Sequence, residues 1–410
     1  MIHSGARHNY ALPAAFAEAG MLEKFYTDVC SGRGIGRAAE AVRRIPMPKR
    51  LAAARDRLVG RRPPALVLER TSTDGLEALR YEAERRWAKD DVDRFRALHR
   101  YHRRRDRRMV RKGLGRATHV FNVMGEGGDL LDIARNRGLT VLTDIVIALS
   151  FDSIVRREYE AFPDWGPAPV DREAAIGGSC HPAEHLLRTT DVYVCPSPFV
   201  ADDLVANWGV DRTATRIVPY AISDAWFSLM PRPVPGRVLF VGSADRRKGI
   251  HYLAMAADRL RGNGRRYEFR VAGDVAPEVS GKPVCRALSF LGRMPRASIA
   301  NEFATADILV LPTLAEGSAT VTYEALAAGV PVITTNAAGS VVRHDVDGLI
   351  VPERDPDALA AAIENIVEDR ARRDAMAIAA RAHATQYSWR RYRERLLQAI
   401  DLPIIQEPGS

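Results

Sequence analysis

Short apolar runs alternate with longer helical patterns along most of the chain. In the second half the runs are Arg237–Gly242, Glu268–Gly273, Ala287–Gly292, Asp307–Pro312 and Val330–Thr335. Each is nearly continuous in Val, Ile, Leu and Phe, the pattern of strands buried on both faces of a parallel sheet. Between them, residues 250–262 and 320–328 carry helical periodicity. The first half repeats the alternation less cleanly, with strands expected at 118–123, 139–147, 191–195 and 216–218. Met1–Ser4 reads as the end of a strand, Gly5–Arg7 as a loop and residues 8–19 as a helix. A first strand this short suggests a natural start a few residues upstream, because the first strand of a doubly wound sheet is usually central. Met230-Pro-Arg-Pro-Val-Pro-Gly236 packs three prolines and a glycine into seven residues and reads as a stiff linker. Residues 357–397 are rich in Ala and Arg and read as helices, with a last one from Trp389 to Leu397.

Composition changes this picture little. The chain has 410 residues, 46% apolar and 27% charged, so it is an ordinary globular sequence of two or three domains. No run approaches the ~20 apolar residues of a membrane span, and the first residues lack the basic-then-apolar pattern of a secretory leader. Four scattered cysteines suit a reducing cytoplasm and no disulfide framework. The charge is more informative. Residues 85–112 hold thirteen basic and four acidic residues, a surplus equal to the +9 of the whole chain. With no Pro or Gly, this segment reads as one long helix. A solvated helix covering its domain is the plainer expectation. The sharper one is a patch that meets anionic lipid or an acidic acceptor. Nucleic acid is not an expected partner, because no aromatic stacking platform accompanies the charge.

Several common signatures are absent: a Gly-Lys-Ser/Thr phosphate loop, a G-x-G-x-x-G after a strand, and a G-x-S-x-G elbow. His181-Pro-Ala-Glu-His185 matches H-x-x-E-H, but Pro182 suits a helix start and no third metal ligand can be named. The strongest constellation follows the strand 307–312. There Glu316-Gly-Ser-Ala-Thr leads into a helix carrying Glu324. A strand, a Gly/Ser loop and a helix start offer backbone N–H groups of Gly317, Ser318 and Ala319 to an anion. Two flanking carboxylates suit a ligand that bears sugar hydroxyls as well as phosphate. After strand 237–242, the loop Ser243-Ala-Asp-Arg-Arg-Lys-Gly249 brings Arg246, Arg247 and Lys248 to the same carboxyl edge, where open α/β sheets bind ligands. Arg246 is expected to be a solvated turn residue, while Lys248 and Arg247 could neutralise a diphosphate leaving group.

Glu316-(seven residues)-Glu324, followed by Ala-Leu-Ala-Ala-Gly-Val-Pro-Val-Ile, resembles the E-x7-E signature of glycosyltransferase family 4. Phe240-Val-Gly-Ser-Ala-Asp-Arg-Arg-Lys-Gly-Ile is similar to that family's phosphate-contacting loop, and Val218-Pro-Tyr-Ala to its hinge segment. Asp345-Val-Asp-Gly-Leu-Ile-Val-Pro with Asp355-Pro-Asp-Ala-Leu-Ala is similar to its downstream region. The resemblance covers residues 185–395 in order. It implies an α/β GT-B fold: two Rossmann-like domains facing across a cleft, 1–220 for the acceptor and 221–388 for the nucleotide sugar, with 389–402 crossing back. It implies a retaining transfer from a nucleotide-diphosphate sugar to a carbohydrate or lipid-linked acceptor hydroxyl, with no metal or other cofactor. Lys248 and Arg247 would face the diphosphate, Glu316 the transferred sugar and Glu324 the ribose. The N–H groups of Gly317, Ser318, Ala319 and Thr320 would hold phosphate, with Gly242 and Ser243 beside them, and Gly5 would approach across the cleft. Base contacts would fall around residues 291–294, including Arg293. Two positions depart from the family. Ser243 stands where many members have Arg, a role open to Arg247. No His occurs between His119 and His181, where the family places one after strand 139–147, which leaves Asp144, Asp152, His3 and His8 as candidates for its place. An epimerase or phosphorylase on the same fold, or a non-catalytic binding member, remains the alternative.

Overall fold

The structure is a computed structural model that describes residues 1–171, 174–175 and 182–401. The chain forms two compact units. One comprises Met1–Asp144 and the described residues of 170–194, the other Ile145–Pro169 and residues 195–401. The sequence expectation put the break between residues 220 and 221. Residues 145–169 join the second unit because the helix Phe151–Ala161 and the turn after it bury polar groups there. The Glu158 carboxylate accepts from His251 Nε2 (2.7 Å) and Tyr252 OH (2.6 Å), with Arg354 Nε at 2.9 Å. Burial would raise the pKa of this carboxyl, but those hydrogen bonds and the Arg354 charge hold it below the usual value.

In the first unit His119–Val123, Thr140–Asp144 and Val192–Cys195 are neighbouring parallel strands. Phe25–Thr27 and Thr71–Thr73 form a second parallel pair. Ile2 bridges Tyr26 on one side and Asn122 on the other, so the chain start lies centrally, as the sequence suggests, though as a single bridge. Ile2, Met109, Val120, Leu130 and Val141 meet in the core there.

The basic segment is not one helix. Gly75–Trp87 ends at Ala88, which is extended, and Asp91–Lys112 begins after Asp90, whose carboxylate accepts from the Asp93 N–H at 2.7 Å. An Asp three residues before the first turn's orphan donors is sufficient to restart a helix without Pro or Gly. Asp90→Ala is expected to cost about 0.5–2 kcal/mol, read as a lower thermal midpoint; an unchanged midpoint would deny the cap its role. Three arginines of the second helix turn onto the first. Arg104 pairs with Glu77 and Glu84, Arg100 with Glu84, and Arg108 with Glu77. Arg105 is buried beside Glu126.

The second unit contains a six-stranded parallel sheet. Its order is Gly348–Ile350, Val332–Thr334, Ile308–Leu311, Arg237–Val241, Glu268–Ala272, Leu288–Gly292. The chain therefore winds outward in both directions from the adjacent strands Arg237–Val241 and Ile308–Leu311, which makes their shared carboxyl edge the switch point where such sheets bind ligands. The buried Asp307 fixes the start of this centre: it accepts from Gly236 N–H (2.9 Å) and is clamped by Arg370 and Arg373. The last helix, Trp389–Asp401, packs on the strand Thr215–Ile217, and Arg395 reaches Pro219 O.

Candidate functional site

Two loops leave the switch point, Gly242–Gly249 and Pro312–Ala319, and they are bonded to each other. Leu314 N–H and Thr313 Oγ1 both donate to Arg247 O (2.8 and 2.9 Å). The loops need their glycines. Gly249 has φ +72°, and a Cβ there would lie 1.9 Å from Pro312 O; a Cβ at Gly317 would lie 1.9 Å from Val146 O. Such contacts forbid any side chain without backbone movement.

This junction brings three of the predicted residues together. Lys248 Nζ lies 2.6 Å from Glu316 Oε1, and Arg247 pairs with the same oxygen. Arg247 also donates to Ala315 O at 3.2 Å. Gly242 stands beside them, close enough that a Cβ would touch the Lys248 stem at 3.5 Å. Two cations thus share one half-buried carboxylate, a charge excess held ready at the sheet edge. Ser243 is exposed, and the neighbouring Ala244 N–H bonds Asp274 O. Arg293 follows the edge strand, exposed and paired with Asp274 at 2.7 Å.

The helix Thr320–Ala327 begins at the second loop. Among the described residues the N–H groups of Gly317, Ser318, Thr320 and Val321 have no acceptor, so they form an open anion cradle. Ala319, expected to join it, does not: its N–H already donates to Ala338 O at 2.9 Å. The turn Asn336–Gly339, closed by Gly339 at φ +56°, delivers that carbonyl. The Ser318 hydroxyl is likewise occupied, bonding Gly339 O and Tyr323 OH at 2.7 Å each. Ser318 can therefore offer only its backbone.

Glu324 projects from the second turn of that helix. Among the described residues its ionic neighbour is Arg296 Nη2, at 4.0 Å. Burial pushes its carboxyl up to about 7, and Arg296 offsets this only in part. A carboxylate so poorly solvated gains most from a ligand that donates hydrogen bonds to it.

Arg246 corrects the expectation of a solvated turn. It is 6% exposed, its guanidinium donates to the carbonyls of Phe162, Pro163 and Pro167, and it lies 4.7 Å from the Tyr159 ring centroid. It anchors the loop that carries Arg247 and Lys248. Neither Pro163 nor Pro167 can continue the helix Phe151–Ala161, and the carbonyls thus left without helical partners accept this arginine. Nothing in the local sequence around Arg246 signals that pairing.

Most of the remaining predicted residues lie in the first unit. The Gly5 N–H donates to Asp28 Oδ1 at 2.8 Å and the Ser4 N–H to Glu126 Oε1 at 3.1 Å. Gly5 has φ +73° and open space where a side chain would stand. Its amide is thus committed to a carboxylate. His3 and Asp144 are buried. Asp152 begins the helix Phe151–Ala161 in the second unit. His185 bonds Asp132 at 2.9 Å, whereas His181 lies outside the described residues.

Residues 235–369 match the family described as Glycosyl transferases group 1. This stretch holds Gly242, Arg247, Lys248, Glu316 and Glu324 together. Similarity to curated proteins extends further. The chain is 32% identical over 194 residues to the D-inositol 3-phosphate glycosyltransferase of Corynebacterium urealyticum, covering 43% of this chain and 46% of that protein. It is 28% identical over 228 residues to the glycogen synthase of Mycobacterium tuberculosis, covering 52% and 55%. The chain thus spans about half the length of the curated relatives it matches. Among solved structures, WaaG, a glycosyltransferase involved in lipopolysaccharide biosynthesis, aligns with a TM-score of 0.58 at 14% identity over 98% of this chain and all of that one. Sucrose-phosphate synthase from Thermosynechococcus elongatus aligns at 0.57 and 18% identity, covering 96% and 92%. The fold is GT-B, built from two Rossmann-like domains. Among the described residues no helix is long and apolar enough to cross a membrane.

Proposed function

We propose that the protein is a retaining glycosyltransferase of family 4 that moves a hexosyl unit from a nucleotide-diphosphate sugar to an acceptor hydroxyl. The observation that carries this reading is the convergence of Arg247 and Lys248 on Glu316 beside an open helix N-terminus, at the switch point of the second sheet. Departure of a nucleoside diphosphate places negative charge at one spot. Lys248, Arg247 and the N–H groups of Gly317, Ser318, Thr320 and Val321 supply fixed positive charge there, so electrostatic stabilisation is the main catalytic term. Glu316 would accept from hydroxyls of the transferred sugar and Glu324 from the ribose diol. This scheme asks for no metal.

The acceptor belongs to the same proposal: a carbohydrate or lipid-linked hydroxyl of cell-surface polysaccharide or glycolipid synthesis, met in the cytoplasm at the inner membrane face. The similarity to an inositol phosphate glycosyltransferase and a glycogen synthase supports hydroxyl acceptors as a class. Incubation with a panel of nucleotide-diphosphate sugars, following release of the nucleoside diphosphate and sugar incorporation into acceptor, tests the reading. Release with transfer is expected. Epimer formation without release would assign the site to an epimerase, and binding without turnover would assign it to a non-catalytic member.

A further inference from the structure

We propose that residues 145–169 brace both loops of the candidate site, and that Arg246 and Glu158 are the positioning residues through which the brace acts. The proposal rests on the glycosyl-transfer reading for its kinetic consequence, though not for its geometry. This segment belongs to the second unit, although the chain before and after it belongs to the first. Its buried apolar side chains, Ile145, Ala148 and Trp165, lie towards its two ends. Between them, the residue that the helix Phe151–Ala161 buries is Glu158. The middle of the brace is therefore held by hydrogen bonds to a carboxylate, which are directional and fix a position more narrowly than apolar contact does.

The brace meets each loop. On the first, the Arg246 guanidinium donates to Phe162 O (2.9 Å), Pro163 O (3.2 Å) and Pro167 O, and Arg247 and Lys248 follow directly in sequence. On the second, the Gly317 backbone lies so near Val146 O that a Cβ would stand 1.9 Å from it, and the Gly317 N–H is one of the open donors. A third link runs through two adjacent residues. Arg354 Nε donates to Glu158 at 2.9 Å, while the Glu353 carboxylate accepts from the Ala337 N–H at 3.2 Å. Ala337 O and Ala338 O in turn accept from the N–H groups of Glu316 and Ala319, at 2.9 Å each. Arg354 sits in the left-handed region, at φ +62°, a conformation that a residue with a side chain keeps when its surroundings hold it there. Glu158 also accepts from His251 and Tyr252, on the helix Ile250–Gly262 that follows the first loop. One carboxylate thus ties the helix after one loop to the turn that supports the other. Lys248 acts on charge that grows as the diphosphate leaves. A small displacement of its loop therefore costs turnover more than donor binding, to which the open helix start and Glu324 also contribute.

Two conservative variants of the full chain test the proposal. Arg246→Lys keeps the charge but cannot span three carbonyls, and Glu158→Gln keeps the shape but not the charge that Arg354 meets. Each is followed by hydrogen–deuterium exchange and by steady-state kinetics with UDP-, GDP- and ADP-sugars. Exchange of the bonded amides in the two loops, those of Lys248, Leu314, Glu316 and Ala319, is expected to quicken, while the strand Glu268–Ala272 exchanges as in the wild type. In both variants kcat is expected to fall about 10- to 100-fold while the donor KM stays within about threefold. Unchanged exchange in both loops, or faster exchange with wild-type kcat, would overturn the proposal. So would a raised KM at constant kcat, or faster exchange spread over the whole second unit with a lower melting midpoint, which would assign the segment to stability alone. A wild type that transfers no sugar would contradict the glycosyl-transfer reading instead, and the exchange result would then decide the brace by itself.

Discussion

Lys248→Ala is expected to lower kcat/KM for a nucleotide-diphosphate sugar about 10- to 150-fold, the loss of roughly 1.5–3 kcal/mol carried by one charge-assisted hydrogen bond. The structure explains why the protein should survive the change. Lys248 shares Glu316 with Arg247, so its removal leaves that carboxylate paired instead of stranded. The loop is held independently, by the Asp245 carboxylate accepting from the Lys248 N–H and by the buried Arg246. Folding should therefore be nearly unchanged while turnover falls. Wild-type kinetics in this variant would remove Lys248 from the site.

Glu324→Gln is expected to act in opposite directions on stability and on donor use. The Glu324 carboxyl stands near 7 in the folded protein against an ordinary 4.5, because burial disfavours its charge. Its contribution to stability is fully present below 4.5 and is lost as pH rises through 7. Above pH 7 the ligand-free wild type carries a strained carboxylate worth about 1–3 kcal/mol. The glutamine variant should be more stable there, with a flatter pH–stability curve between pH 4.5 and 7. Donor affinity of the wild type should rise as the carboxylate forms near pH 7, and that of the variant should be lower and insensitive to pH. Parallel pH–stability curves would contradict the burial account.

How legible the protein was varies by region for physical reasons. Four strands of the second sheet span four or five residues of mostly apolar sequence, and Val332–Thr334 sits inside the longer apolar run 330–335, so all five positions follow from that pattern within one or two residues. Phe25–Thr27, Thr71–Thr73 and Gly348–Ile350 are three residues each, too short for any periodicity to register. The break between Gly75–Trp87 and Asp91–Lys112 has no Pro or Gly; only the Asp90 cap marks it. In the site, Glu316 and Lys248 were readable because loop residues at a parallel sheet's carboxyl edge converge. The commitment of the Ala319 N–H was not, since it depends on a carbonyl nineteen residues away delivered by the Gly339 turn. Arg246 looked like its neighbours Arg247 and Lys248 in composition, and only the carbonyls of residues 162–167 distinguish it.

The central claim is that a nucleotide-diphosphate sugar binds where Lys248, Glu316 and the helix Thr320–Ala327 meet. Thermal denaturation of the full chain with UDP-, GDP- and ADP-sugars measures this most directly, since a ligand at about 100 times its Kd adds about 2.7 kcal/mol to the folded state. A raised midpoint with at least one of these donors, much reduced in Lys248→Ala, is the expected result. No shift with any donor, or the same shift in wild type and Lys248→Ala, would contradict it.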